Sequence, residues 1–173
     1  MKLLRLFVCT VSLFCTLCIN AQATSSASIN VSGKVIASPC QISPDDLVKN
    51  ISLGDEIPAK DAVGTMGERQ KFTITLTDCP SGTSSVIATF SGTPASMQPD
   101  FAYANSATEN AAKNVAVVLQ YSDSTGMGNG KTYKVDVTSG VNPVFYLQTN
   151  AYSLGNATPG DISASIVMSF EYN

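Results

Sequence analysis

Hydrophobic and polar residues alternate along much of this chain with the period of a β-strand. Three segments alternate strictly, and they are residues 28–35, 71–77 and 131–137. Three others are more continuously apolar and rich in Val, Phe and Tyr, as buried strands are: residues 85–90, 115–121 and 144–147. Glycine and proline punctuate the intervals, and no stretch carries the apolar stripe of a helix. The pattern predicts an all-β, antiparallel sandwich of the immunoglobulin-like kind.

The end of the chain alternates in the same way. One face of a strand over residues 162–172 would carry Ile162, Ala164, Ile166, Met168, Phe170 and Tyr172. We expect no later strand to cover this edge, and residues 28–37, which precede the first cysteine of the domain, also need a partner. Two interpretations stay open at this point. The two ends pair with each other inside an ordinary sandwich, or a segment of another subunit supplies a missing strand.

The first 23 residues have the pattern of a signal peptide. Lys2 and Arg5 precede an apolar run at residues 6–19, and Ala-Gln-Ala at 21–23 matches the site that signal peptidase reads. We therefore expect cleavage after Ala23 and export of the mature chain. Acylation at Cys15 or Cys18 is disfavoured, because the residues before them are not the small ones of a lipoprotein signal.

Cleavage would leave Cys40 and Cys79 as the two cysteines of the mature chain. In an oxidising compartment we expect them to form a disulfide, and two free buried thiols are the alternative. The mature chain has no C-x-x-C, so the sequence does not favour a redox role.

Composition argues against catalysis. The chain has no His, which is the commonest general base and metal ligand, and its formal net charge is −3, which gives nucleic acid no basic surface. The carboxylate pairs at 45–46 and 55–56 lie among Pro, Ser and Gly, as solvated loop charges do. We predict that the protein is not an enzyme, and that it has no cofactor, no metal site and no nucleic-acid partner.

Three groups of residues resemble one family. Residues 29–40 look like the N-terminal extension and first cysteine of chaperone-usher pilus subunits, and residues 76–84 with 88–92 resemble the small adaptor subunits of the type 1 pilus tip. Gly160 and the penultimate aromatic, Tyr172, match the family's C-terminal signature. The resemblance covers essentially the whole mature chain.

The resemblance implies an incomplete immunoglobulin-like fold that lacks its final strand. A periplasmic chaperone would lend that strand until, at the outer-membrane usher, the extension of a neighbouring pilus subunit replaces it. The implied donor residues are Ile29, Val31, Gly33, Val35 and Ala37. The implied acceptor groove and chaperone contact comprise Gly160, Ile162, Ala164, Ile166, Met168, Phe170, Tyr172 and Asn173, with the carboxylate of Asn173 as the chaperone's anchor.

These observations predict three regions: a signal peptide at 1–23, a donor extension at 24–38 and a pilin domain at 39–173. The expected function is that of a structural subunit of an adhesive pilus, exported through the periplasm to the surface fimbrium, and within the pilus a minor tip adaptor. The alternatives are a major rod subunit and a free secreted β-sandwich that acts as a binding module.

Overall fold

The computed structural model describes residues 28–35 and 38–173. The predicted signal peptide, residues 24–27, Ile36 and the predicted donor residue Ala37 lie outside the described residues. In the described part, the helical structure is one 3₁₀ turn at Pro44–Asp46, and no helix there has the length and hydropathy of a membrane span.

Strands dominate the described part of the chain and form two antiparallel sheets. Their bounds are β1 (Gln41–Ile42), β2 (Gly64–Thr77), β3 (Ser85–Gly92), β4 (Ala102–Ala104), β5 (Val115–Tyr121), β6 (Thr132–Asp136), β7 (Val144–Ser153) and β8 (Ile166–Tyr172). The larger sheet has the order β1-β2-β7-β5-β4, and the smaller sheet has the order β6-β3-β8. The predicted all-β class is confirmed.

The main core lies between the two sheets. Leu76 of β2, Phe90 of β3 and Phe145 of β7 are each at most 1% exposed. Phe145 of the larger sheet also contacts Phe170 of the smaller one, with ring centroids 5.6 Å apart. Alternate residues of each strand point inward, so the period-two pattern places the apolar residues in this shared layer.

The predicted disulfide between Cys40 and Cys79 is present in the structure. It joins the residue before β1 to the segment after β2, across a sequence separation of 39. Closing a loop of that size restricts the unfolded chain by about 4 kcal/mol in the loop-entropy description. The bond therefore reinforces the short pairing of β1 with the end of β2, where Gln41 lies opposite Thr77.

The predicted strands match the observed ones where the alternation is undisturbed. The prediction of 115–121 coincides with β5, but β2 begins at Gly64, seven residues before the predicted start at 71. The register of β2 against β7 shifts between Met66 and Gln70, and Gly67 has φ +66°. This bulge breaks the period of two and hides the first part of the strand from pattern analysis.

The prediction of one strand over 162–172 is wrong at its start, because β8 begins at Ile166. The main chain before it bonds to a different segment: the Ala112 amide donates to the Asp161 carbonyl at 3.0 Å, and the Ser106 amide donates to the Ser163 carbonyl at 2.8 Å. Residues 161–163 thus continue the alternation without joining β3. The segment 28–35 likewise alternates and has no regular secondary structure.

Candidate functional site: an open groove along β8

The strand β8 has one edge without a strand partner in the described part of the chain, since it pairs with β3 alone. Asn173 and Ser85 exchange two main-chain hydrogen bonds of 3.0 and 3.1 Å. In an antiparallel pair, successive residues direct their main-chain groups to opposite sides. The amides and carbonyls that face away from β3 therefore belong to Ile166, Met168, Phe170 and Tyr172.

A groove of about 1540 Å³ lies beside this open edge. The apolar side chains that line it come from both sheets, and they include Phe72 and Ile74 of β2, Val117 and Leu119 of β5, Leu147 of β7 and Met168 and Phe170 of β8. Residues 49–59, between the 3₁₀ turn and β2, form part of the rim. The groove is open to solvent, and the apolar side chains between the two sheets, with polar residues around them, suit an extended chain segment that carries apolar side chains on one face.

The inward side chains of β8 are less buried than those of β3, its neighbour in the sheet. The side chains of β3 that face inward, Val86, Ala88 and Phe90, are at most 1% exposed. Their neighbours on β8, Met168 and Phe170, share the same layer but remain partly exposed. Since both strands alternate in the same way, the difference reflects the missing neighbour of β8 and not its sequence.

One end of the groove is fixed by Gly160. This residue lines the groove and has φ +148°, a conformation that L side chains rarely adopt. A Cβ here would collide with the Asn110 carbonyl oxygen and lie 2.5 Å from the Ala112 nitrogen. Only glycine allows this close approach between the two backbone segments.

Asn105 holds the chain that follows Gly160. Its Nδ2 donates to the carbonyls of Ala112 and Asp161 at 3.0 and 2.8 Å, and its Oδ1 accepts from the Ser163 amide at 2.9 Å. These bonds keep Ile162 on a small apolar cluster that includes Met66 and lies at this end of the groove. Sequence reasoning missed Asn105, because a lone Asn in a loop carries no pattern.

The last residues of β8 lie next to the disulfide. The Tyr172 hydroxyl donates to the Cys40 carbonyl at 3.4 Å, and burial raises the pKa of Tyr172 above its usual value. Asn173 is exposed, and its main-chain oxygen accepts hydrogen bonds from the amides of Ser84 and Ser85. These bonds continue the pairing of β8 with β3 past the last residue of the strand.

Asp46 lies on the side of the groove opposite β8. Its Oδ2 accepts from the Thr75 amide of β2 at 2.8 Å, its Oδ1 pairs with Lys49, and its side chain is 6% exposed. Burial acts to raise the pKa of this carboxyl, but the hydrogen bonds from Lys49 and Thr75 outweigh it, so the pKa lies below 3.8. The carboxylate thus accepts a hydrogen bond from a β2 amide on the edge that β1 covers only as far as Ile42.

The predicted donor residues that the structure describes are strongly exposed. Ile29, Val31 and Val35 are 86%, 90% and 97% exposed, and a Cβ on Gly33 would meet no atom within 4 Å. Apolar side chains at alternate positions in an extended, exposed segment are what β-strand addition requires of a donor. The structure therefore contains an exposed alternating segment and an open apolar groove.

The predicted acceptor residues do come together along one groove. Gly160, Ile162, Ala164, Ile166, Met168 and Phe170 line it, Tyr172 packs against the same core, and Asn173 pairs with β3 beyond it. Sequence reasoning missed the opposite wall, which β2, β5 and β7 supply, although the apolar positions of those strands were the available signal. In the described residues no group of three or more His, Cys, Asp or Glu is placed to hold a metal.

Comparison with known proteins identifies the family. No family model matches the chain. Protein FimG of Escherichia coli (strain K12) is 34% identical over 159 residues, which cover 88% of this chain and 90% of FimG.

Solved structures share the fold. The P pilus rod subunit PapA superimposes with a TM-score of 0.63 at 21% identity, over 79% of this chain and all of the PapA chain. A chain from the structure of a chaperone-usher pilus superimposes with a TM-score of 0.59 at 15% identity, over 87% of this chain and 98% of that one. The sandwich is thus an incomplete immunoglobulin-like fold. The chain belongs to the family of chaperone-usher pilus subunits and is a structural subunit of a surface fimbrium.

Proposed function

We propose that this subunit polymerises by donor-strand exchange and occupies a minor tip-adaptor position in the pilus. The open edge of β8 above its apolar groove carries the proposal. The groove receives the extension of a neighbouring subunit, and residues 24–38 enter the groove of another neighbour.

The donor strand runs antiparallel to β8 in this proposal, as in a completed immunoglobulin-like sheet. It supplies main-chain partners to Ile166, Met168, Phe170 and Tyr172, at about 0.5 to 1.5 kcal/mol net for each hydrogen bond. Its inward side chains at positions 29, 31 and 35 each contribute about 1.5 to 3 kcal/mol when they are fully buried. Together these contributions suit a noncovalent joint in an extracellular fibre.

Gly33 has a specific place in this joint. Among the donor positions that face the groove, it is the one without a side chain, so the donor backbone can cross a shallow part of the groove there. Because its surroundings are open in the free segment, glycine at this position is not needed by the subunit's own structure. In this proposal, glycine is needed at position 33 only when the segment is bound in the groove of a neighbouring subunit.

Before assembly, a periplasmic chaperone covers the groove and binds the carboxylate of Asn173, and an outer-membrane usher then exchanges the chaperone for the next subunit. The exposure of Asn173 and the partial exposure of Met168 and Phe170 support this part of the proposal. Export through the periplasm follows from the signal-peptide pattern at 1–23.

The adaptor role rests on residues 76–84 and 88–92, which resemble those of small tip adaptors. Quantitative mass spectrometry of isolated pili tests it. An adaptor is present at a few copies in each fibre, whereas a rod subunit dominates the preparation and would overturn the assignment.

Donor-strand exchange is tested by deleting residues 28–38 from the exported chain. The truncated subunit should keep its own sandwich, as judged by its disulfide and circular dichroism. A fluorescently labelled neighbouring subunit with an open groove should, however, no longer bind it. Capture of the truncated chain at the rate of the full chain would contradict donor-strand exchange.

A further inference from the structure

Of the two methionines that line the groove, Met66 is 2% exposed, and the one whose polarity an oxidant in solvent can change is Met168. It lies on β8 opposite Phe90 of β3, lines the groove and is partly exposed. Ile166 and Phe170, its inward neighbours on β8, offer no comparable chemistry. Met168 is therefore the position at which an oxidant can alter the groove surface that receives the donor strand.

The other described methionines differ from Met168 in burial or in place. Met66 and Met127 are 2% and 1% exposed, so the folded chain shields them. Met97 is 48% exposed, but it does not line the groove. The chain thus provides two buried controls and one exposed control for the same reaction.

We propose that Met168 is a reversible oxidation switch for donor-strand binding. Hydrogen peroxide converts its thioether to a sulfoxide while the groove is open, and a bound donor strand protects it. One peroxide oxygen bonds to Sδ, the sulfur gives up two electrons, the O–O bond breaks and the other oxygen leaves as water. A methionine sulfoxide reductase reverses the change: two thiols supply two electrons and become a disulfide, the S–O bond breaks and the oxygen leaves as water. This inference rests on the proposed function, because it assigns a regulation to the same groove.

The sulfoxide weakens binding because it places a strongly polar oxygen on the face that the donor covers. An incoming strand with Val and Ile side chains offers that oxygen no hydrogen-bond donor, so the oxygen loses its water without compensation. In the proposed joint the main-chain groups of Met168 pair with the donor strand, so its side chain lies directly beside that strand. Oxidation at Met97 has no such consequence.

Binding of a fluorescein-labelled peptide of residues 28–37 to the full, disulfide-bonded chain provides the test, at submicromolar protein concentration. The chain is treated with hydrogen peroxide, and peptide mass spectrometry then measures the sulfoxide at each methionine. We expect oxidation at Met97 and Met168 but not at Met66 or Met127. Peroxide should lower the affinity at least tenfold in the unmodified sequence and in Met97→Leu, and less than twofold in Met168→Leu.

A second measurement does not depend on the variants. Saturation with the unlabelled peptide before peroxide treatment should reduce the sulfoxide at Met168 at least fivefold and leave that at Met97 unchanged. Equal loss of affinity in Met168→Leu, or equal oxidation of Met168 with and without the peptide, would overturn the switch. If the untreated chain fails to bind the peptide, the proposed function itself is wrong, and the switch falls with it.

Discussion

The smaller sheet has two edges, β6 and β8, and they differ in how they meet solvent. Both strands pair with β3, and both alternate in polarity. The exposed side of β6 carries Lys134 and Asp136, which form an ion pair of 3.0 Å, whereas the exposed side of β8 carries one charged residue, Glu171, and Val167, which is 61% exposed. Charged side chains on a short edge strand oppose pairing with another strand. One edge is thus protected and the other is left available.

The inward faces of the two edges differ as well. Tyr133 of β6 stacks on Tyr121 of β5, with ring centroids 3.6 Å apart and planes at 18°. Burial and the nearby Asp123 carboxylate raise the pKa of Tyr133. Across the groove no strand in the described residues covers β8 in this way. The comparison teaches that a sheet edge stays open to a further strand when it carries few outward charges and its inward face lacks cover.

The largest expected effect comes from closing the β8 edge within one chain. A copy of residues 28–37 is placed after Asn173 through a turn-forming linker, and the native copy is deleted. Burial of its Ile and Val side chains should raise the free energy of unfolding by at least about 4 kcal/mol over the chain without either copy. Urea denaturation measures this. The control copy carries an Asp at the position of Val31, and equal stability of all three chains would refute the missing strand.

The glycines before the two edges should respond differently to alanine. Gly160→Ala adds a collision with Asn110 to an unfavourable φ, and we expect a loss of about 3 kcal/mol in the free energy of unfolding. Gly130→Ala, before β6, has φ +79° and no neighbouring atom within 4 Å, so only backbone strain of about 1 kcal/mol should remain. Thermal or urea unfolding compares the pair, and equal losses would show that the close approach at Gly160 is unimportant.

A charge on the donor should affect only the open edge. Val31→Asp in the peptide of residues 28–37 should weaken its binding about 100-fold, because the carboxylate must lose its water in an apolar groove. Asn30→Asp puts the same charge on the opposite face of the strand and should change affinity less than threefold. Fluorescence anisotropy gives both values. Similar effects of the two substitutions would argue that the alternation does not set the orientation of the donor.

The smallest effect is expected on the wall opposite β8. Asp46→Asn weakens the bonds to Lys49 and Thr75 and should cost about 1 kcal/mol at pH 7. The folded pKa of Asp46 lies below 3.8, so the advantage of the carboxylate is present above that pH and disappears as pH falls through the folded value. Urea denaturation at pH 7 and pH 3 measures it. The exposed neighbour serves as control, and Asp45→Asn should change stability by less than about 0.5 kcal/mol.

Alternation in the sequence was sufficient to predict β5 and the inward residues of β8, because those strands are regular along their whole length. It failed for β1 and β4, which have two and three residues and are too short to show a period. It also assigned Ile162 to β8, since alternation does not reveal that Asn105 and Ser106 bond the neighbouring main chain. For the donor segment, alternation describes a capacity to pair, and pairing itself requires a partner.

Asn173 bonds to Ser84 and Ser85 at the start of β3, and the many residues between them along the chain have a consequence for the order of folding. The hydroxyl of Ser84 bonds to the Asn173 carbonyl across 89 residues, so the smaller sheet closes by a contact that is far from local. Contacts of long sequence separation form slowly, because a large loop must be ordered first. We therefore expect β3 to gain its pairing with β8 late in folding. The strand that joins the smaller sheet last is then also the strand whose other edge has no strand partner in the described residues.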